Sequence, residues 1–335
     1  MQTTGPLGLL LQKQFGSKRV TLVCSVLASA AFISASLARH FYLLVVLLGV
    51  LAVIFGASLF VIPEIFLTPQ DRLTAYAVAI AGAGIGNVIF PVIFTLSFTY
   101  FTWRQALLLA GAVLLNFIPA SLLMPEKLTL SQTAPPTKAE VLWQNVTFVL
   151  TVLTCFLAQA FLAAAFYTFL SPLMKHNGFD AHQIGLVFLL IGAFSVPGRL
   201  AAVFQLHLCK HPLTLWCSAT IACALIQGLL YMHVHNYVAT LVLVCSFSFA
   251  IGVNYSLYPP VISSLVNDQN LQFALSVCNL AYGLGGMVGP VFVGVMIDVM
   301  GDFTLPLLTG SGLLLCVPVS LGFWDLINTK CCLRK

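Results

Sequence analysis

Apolar residues along this chain neither alternate nor recur as narrow amphipathic stripes. They run on for about twenty positions at a time until a charge, a proline or a polar cluster stops them. A bilayer core about 30 Å thick needs about twenty helical residues, so each such run predicts a membrane-crossing helix. Cutting at the interruptions predicts ten full spans, near 20–38, 42–66, 74–98, 104–124, 145–170, 182–204, 212–232, 237–262, 272–298 and 304–326. Ahead of them Thr4–Leu11 is apolar but too short to cross, and it runs into the basic turn Gln12–Arg19. It reads as the end of a span whose beginning is absent. A cleavable signal peptide fits less well, because the positive residues follow the apolar stretch and no small-residue cleavage site separates it from the next helix.

The longest polar interval, Pro125–Gln144, carries Pro135-Pro136, Lys138 and Glu140 without periodicity and predicts a linker between two helical halves. The domain organisation expected is therefore 1–124, a linker at 125–144, and a six-helix half at 145–335. Four and a fraction spans precede the linker. Halves built alike would require the first helix and part of the second to be missing from the front.

Composition narrows the class. Of 335 residues 60% are hydrophobic and 7% charged, against about 25% charged in a soluble domain. The continuous apolar runs exclude an outer-membrane barrel, whose strands alternate over about ten residues. An all-α membrane bundle remains. The formal charge of +5 comes with no basic cluster larger than Lys18-Arg19 and Arg334-Lys335, so a nucleic-acid partner is not expected. Ten scattered cysteines without metal spacing predict neither a disulfide framework nor a metal site, and no cofactor is expected. Most cysteines read as small buried hydrophobes, while Cys331-Cys332 could be either palmitoylated or free thiols.

Charge placement also gives an orientation. Lys13, Lys18, Arg19, Arg72, Lys127, Lys138, Lys210, Lys330, Arg334 and Lys335 fall on one side of the alternating topology, and Arg39, Arg104 and Lys175 on the other. The positive-inside rule puts the first group and the carboxyl terminus in the cytoplasm. The sequon at Asn145 would then lie on the cytoplasmic side, where glycosylation is not expected.

Ionisable side chains inside apolar runs are the first candidates for chemistry. Arg199, in Gly192–Val203, is permanently charged and needs an anion, a carbonyl cluster or water to tolerate burial. Alternatively it ends its helix and snorkels to headgroups. Pro197-Gly198 just before it is expected to bend the helix and turn the side chain inward. Glu64, after Pro63, is a candidate proton acceptor or a polar contact at the mouth of the pathway. Asp298 and Asp302 bracket Gly301 and predict a turn with a capping carboxylate. His176, His182, His233 and His235 fall in predicted outer loops without metal spacing. Asn87, Asn254, Tyr255, Tyr258, Asn279 and Tyr282 could line a pathway and bind a carboxylate without titrating, or simply bridge helices. Small residues at helical spacing in Ala77–Gly86 and Gly283–Gly289 predict close helix contacts. No Ser/His/Asp, metal or paired-carboxylate constellation supports an enzyme, and the span count does not suit a seven-helix receptor.

Taken in order, several segments resemble the monocarboxylate transporter family of the major facilitator superfamily. Gly5-Pro6 with Phe15-Gly16, Lys18 and Val20 is similar to the end of that family's second helix and the turn into its third. Ala77–Gly86 resembles its fifth helix, and Trp103-Arg104 and Met124-Pro125 the opening and closing of its sixth. Gly289-Pro290, Gly294, Asp298 and Gly301-Asp302-Phe303 resemble its eleventh-helix signature. Arg199 falls where the family carries an eighth-helix arginine, which the resemblance implicates in binding the substrate carboxylate. It implies a plasma-membrane carrier of small organic anions working by alternating access, with protons as candidate co-substrate and a single-span accessory glycoprotein as candidate partner. Proton-coupled members have an aspartate four residues before the arginine; here Ser195 stands there, so coupling through that pair is not expected. The runner-up reading is a transport-incompetent truncated or regulatory form of such a carrier.

Overall fold

A computed structural model describes residues 14–38, 40–44, 101–123, 146–208, 211–267 and 270–332, the last as backbone only beyond Leu321, with isolated positions elsewhere up to residue 100. The elements are α1 (Ser17–Ser36), α2 (Trp103–Leu115), α3 (Phe117–Leu122), α4 (Val146–Leu157), a π-helical segment (Ala158–Ala165), α5 (Phe166–His176), α6 (Ala181–Leu208), α7 (Pro212–Met232), α8 (Tyr237–Leu265), α9 (Leu271–Met300) and α10 (Thr304–Cys332). Among the described residues there is no strand, and eight helical stretches are long and apolar enough to cross a membrane. The expected spans at 42–66 and 74–98, the linker 125–144 and the sequon Asn145 lie largely or wholly outside the described residues.

Eight of the predicted spans have a counterpart among the described helices, and several of these run past the expected ends. A run of 28 residues in α6 rises about 42 Å at 1.5 Å per residue, more than the roughly 30 Å hydrocarbon core. Turn chemistry sets the boundaries. Asn236 caps α8, its Oδ1 accepting from the main-chain N–H of Val238 at 3.0 Å and of Ala239 at 3.3 Å. Thr102 and Gln105 form a capping box at the start of α2. Gly301 ends α9 in the left-handed region at φ 69°, where a side chain would be strained. The turn behind it is closed as expected: the Thr304 N–H donates to Asp302 Oδ1 at 3.2 Å. That bond holds the Asp302 carboxyl below its usual range, so the cap is complete at neutral pH and is lost only as the pH falls through the lowered value.

Most of the packing joins helices that are not neighbours in sequence. α6 and α7 both lie on α8, α7 packs against α10, and α9 lies along α4 and the π segment. One apolar core runs through these helices, with Trp216, Tyr231, Tyr282, Phe148, Phe166 and Phe247 fully buried. The outward faces are equally apolar, with Val242, Val238, Phe204 and Val299 each more than 60% exposed. A water-facing surface does not carry that row of side chains; a lipid-facing one must. Nearer the amino end α1 packs on α2, tied by Arg104 Nη2 donating to the Ala38 carbonyl at 3.5 Å.

Two backbone crossings fix the arrangement. A Cβ on Gly198 of α6 would overlap the Phe249 carbonyl of α8, and one on Gly252 of α8 would overlap the Ser195 carbonyl of α6. The same happens where Gly285 and Gly289 of α9 meet the Phe156 and Ala160 carbonyls. Small residues thus bring main chains into contact, the usual device for helix pairing in lipid.

Candidate functional site

Arg199 lies nine residues before the end of α6 at Leu208, about 13 Å along the axis. It is only 6% exposed. A side chain of this length can snorkel several ångströms, yet here it is enclosed among helices, so the headgroup alternative does not describe it. α6 runs on as a helix through Pro197-Gly198, with the Arg199 side chain turned into the bundle. Pro197 removes one main-chain donor from the ladder, and Gly198 is there because the α8 backbone occupies the space of a Cβ.

The surroundings of Arg199 are phenolic. Tyr167 of α5 and Tyr255 of α8 lie within electrostatic reach of its guanidinium. Tyr255 donates its hydroxyl proton to Gln159 Oε1 at 3.3 Å. Gln159 stands at the start of the π segment, half-buried, with its side chain against Gly286 of α9. Residues from α6, α8 and the π segment therefore form one polar patch inside an apolar bundle. No carboxylate takes part in it among the described residues.

A π turn inserts one extra residue and is rarely stable without outside support. Here three elements supply it. Gln227 of α7 donates from Nε2 to the Phe161 carbonyl at 2.9 Å and also to the Tyr231 hydroxyl. Gly285 and Gly289 of α9 admit the carbonyls of Phe156 and Ala160, and Gly310 of α10 receives the Phe161 ring. The extra residue shifts the helical phase, which sets the face that Gln159 and Tyr167 present.

The residues singled out from sequence separate into groups. Tyr255 joins Arg199. Tyr258 and Tyr282 form an edge-to-face pair, centroids 4.9 Å apart, and Tyr258 donates to the Leu275 carbonyl at 3.5 Å. Tyr282 is 1% exposed. Asn279, half-buried, lies one turn before Tyr282 on α9. Asn254 is 1% exposed and donates from Nδ2 to Thr220 Oγ1 at 2.6 Å, a bridge from α8 to α7. Ser195 is buried one turn before Arg199 and donates to the Gly192 carbonyl at 2.8 Å. Asn87 and Glu64 lie outside the described residues. Gln159 and Tyr167 were not foreseen: each sits singly in a long apolar run, and only the neighbouring helices reveal its company. Their polarity within a span was the signal available.

Asn254→Val is expected to loosen α7 from α8 by removing the donor to Thr220 Oγ1, whose own proton stays on the Trp216 carbonyl, a loss of about 0.5–1.5 kcal/mol. A lowered melting temperature of the purified protein, with any residual uptake retaining the parent's KM, is the expected result; a raised KM at unchanged stability would instead place Asn254 at the substrate.

Comparison with known proteins gives a consistent picture. A sequence model of the Major Facilitator Superfamily matches residues 3–290. Mouse (Mus musculus) monocarboxylate transporter 12 is 25% identical, aligned over 96% of this chain and 74% of its own length. Human monocarboxylate transporter 11 is 27% identical over 94% of this chain and 70% of its own, and rat (Rattus norvegicus) monocarboxylate transporter 13 is 25% identical over 95% and 77%. In fold, the crystal structure of the human organic anion transporter MFSD10 (TETRAN) superposes with a TM-score of 0.78 at 19% identity, covering 96% of this chain and 80% of that one.

Proposed function

This chain belongs to the Major Facilitator Superfamily, and from that premise we propose that it carries a small organic monocarboxylate across the membrane by alternating access, with Arg199 as partner of the carboxylate. That it is a multi-pass transporter, and not an enzyme, follows from the family and from its transporter relatives. The substrate class rests on one observation: a guanidinium 6% exposed, deep in α6 and beside Tyr167 and Tyr255. A buried arginine strongly favours an anion, and its planar fork matches a carboxylate in two parallel hydrogen bonds. Tyr255, held by Gln159, adds a neutral phenol that recognises without titrating. Tyr258, Tyr282 and Asn279 extend the lining, with Asn87 as its outer candidate, while Asn254 is committed to its bridge with Thr220.

In this reading residues 1–124 and 145–335 are two halves rocking about the site, joined by 125–144. The carboxyl terminus faces the cytoplasm of a plasma-membrane carrier, and a single-span glycoprotein is the candidate companion. The relatives named monocarboxylate transporters support the substrate class. Uptake of labelled monocarboxylates into vesicles is expected to saturate, with the acids competing mutually and their uncharged amides doing neither. Amides carried as well as the acids, or no acid moving above an Arg199→Ala control, would remove the proposal.

Ser195 bears on coupling. Its hydroxyl does not titrate at physiological pH and donates to its own helix. Uptake is accordingly expected to be flat between about pH 6 and 8, with no accumulation driven by an inward proton gradient. A several-fold stimulation at the acid end would overturn this and redirect attention to Glu64.

A further inference from the structure

α10 is longer than a bilayer requires. Its 29 residues, Thr304–Cys332, rise about 43 Å against a hydrocarbon core of about 30 Å. Charge locates the surplus. Asp302, just before the helix, and Asp325, within it, bracket an uncharged run at 303–324, which supplies about 32 Å of helix and so fills the core. Trp324 stands at the far edge of that run, the interfacial position where tryptophan is enriched. The remaining turns continue as helix out of the core.

Cys331 and Cys332 end this extension, about 9–11 Å along the axis beyond Asp325 and therefore at the outer margin of the headgroup layer. Lys330, Arg334 and Lys335 surround them, a cluster that an anionic cytoplasmic leaflet holds against its surface. Cysteines inside the bundle have no such place. Cys155, Cys217, Cys223 and Cys278 are buried, and the exposed Cys316 lies about 18 Å into the span. Register separates the two terminal thiols. Cys331 follows Leu313, which is 45% exposed, by five full turns, and Cys332 follows the fully buried Leu314 by the same interval. A bond between the two sulfurs is disfavoured, because consecutive Cα atoms stand about 3.8 Å apart and disulfides need about 4.4 Å or more.

We propose that Cys331 is reversibly S-acylated by a long-chain acyl-coenzyme A. The proposal rests on the cytoplasmic orientation given above, since that donor is cytosolic. The Cys331 sulfur attacks the thioester carbonyl, the bond from that carbon to the coenzyme A sulfur breaks, and coenzyme A leaves as a thiol with the proton that Cys331 gives up. Hydrolysis returns the free cysteine, and no oxidant takes part. Because α10 already holds the chain in the membrane, the acyl group serves position rather than attachment: folded back into the core, it draws the surplus turns against the headgroups.

Cells expressing the full chain would be fed an alkynyl palmitate, and the 325–335 peptide, released by cleavage after Trp324, would be analysed by mass spectrometry. It is expected to carry one acyl chain that neutral hydroxylamine removes, as it does a thioester. Cys331→Ser should cut the label on this peptide at least about fivefold and Cys332→Ser less than about twofold. Orientation is read separately: with acylation blocked by 2-bromopalmitate, a membrane-impermeant maleimide should reach the peptide only after permeabilisation. Labelling in intact cells would remove the orientation, and the acyl site with it. A peptide that stays unmodified, although its thiols are reached only after permeabilisation, would sink the acyl site and leave the orientation standing. An adduct that resists hydroxylamine, or one undiminished in Cys331→Ser, would overturn the assignment equally.

Discussion

Replacing Arg199 by alanine is expected to lower carboxylate uptake by a factor of about 30 to several thousand in protein that still assembles and reaches the membrane. That range follows from truncating one partner of a buried charge pair, which costs about 2–5 kcal/mol at roughly 1.4 kcal/mol per decade. A purely structural arginine predicts instead a protein that fails to assemble. Arg199→Lys keeps the charge but loses the fork, so it should restore part of the rate with a raised KM. Uptake by Arg199→Ala within twofold of the parent, at equal surface amount, would detach the guanidinium from transport.

The span positions from residue 146 onward were legible because lipid imposes one-residue rules: every position in a run must be apolar, so the run itself marks the helix. Arg199 stood out for the same reason, as a charge where the rule forbids one. The turn at Gly301-Asp302 was legible through local chemistry, since capping needs only residues a few positions apart. What the sequence hid depends on pairs of helices. The π segment has no signature of its own in Ala158–Ala165; it exists because Gln227, Gly285, Gly289 and Gly310 accommodate it from three other helices. Asn254 looks like a pathway residue until Thr220, 34 positions away, is seen beneath it. Gly198 reads in its own segment only as part of a bend, while its contact with the α8 main chain becomes visible only in the fold. Gln159 acquires meaning only through Tyr255, 96 positions on.

Gly285→Val is expected to leave no correctly assembled protein, because the obstacle its side chain meets is main chain. The Cβ would stand well inside 3.0 Å of the Phe156 carbonyl oxygen and 3.2 Å from the Ala160 nitrogen. A flexible side chain could swing aside; a carbonyl entering a π turn cannot, so α9 must retreat along its contact with α4 and the π segment. Overpacking of a core costs about 1–3 kcal/mol when side chains yield, and more when backbone must. Retreat of α9 also separates Tyr282 from Tyr258 and Gly286 from Gln159, carrying the damage into the polar patch. Gly289→Val, one turn on, meets the Ala160 carbonyl in the same way. Two neighbouring substitutions serve as controls. Gly286→Ala meets Gln159 Cγ at 3.5 Å, an ordinary contact, so it should fold and alter only uptake. Gly312→Ala on α10 meets nothing within 4 Å and should gain about 0.5–1 kcal/mol from the lower backbone freedom of alanine. Size-exclusion profiles and melting curves of the four proteins would rank them, and a Gly285→Val protein that elutes and melts like the parent would mean that α9 and α4 do not cross at this glycine.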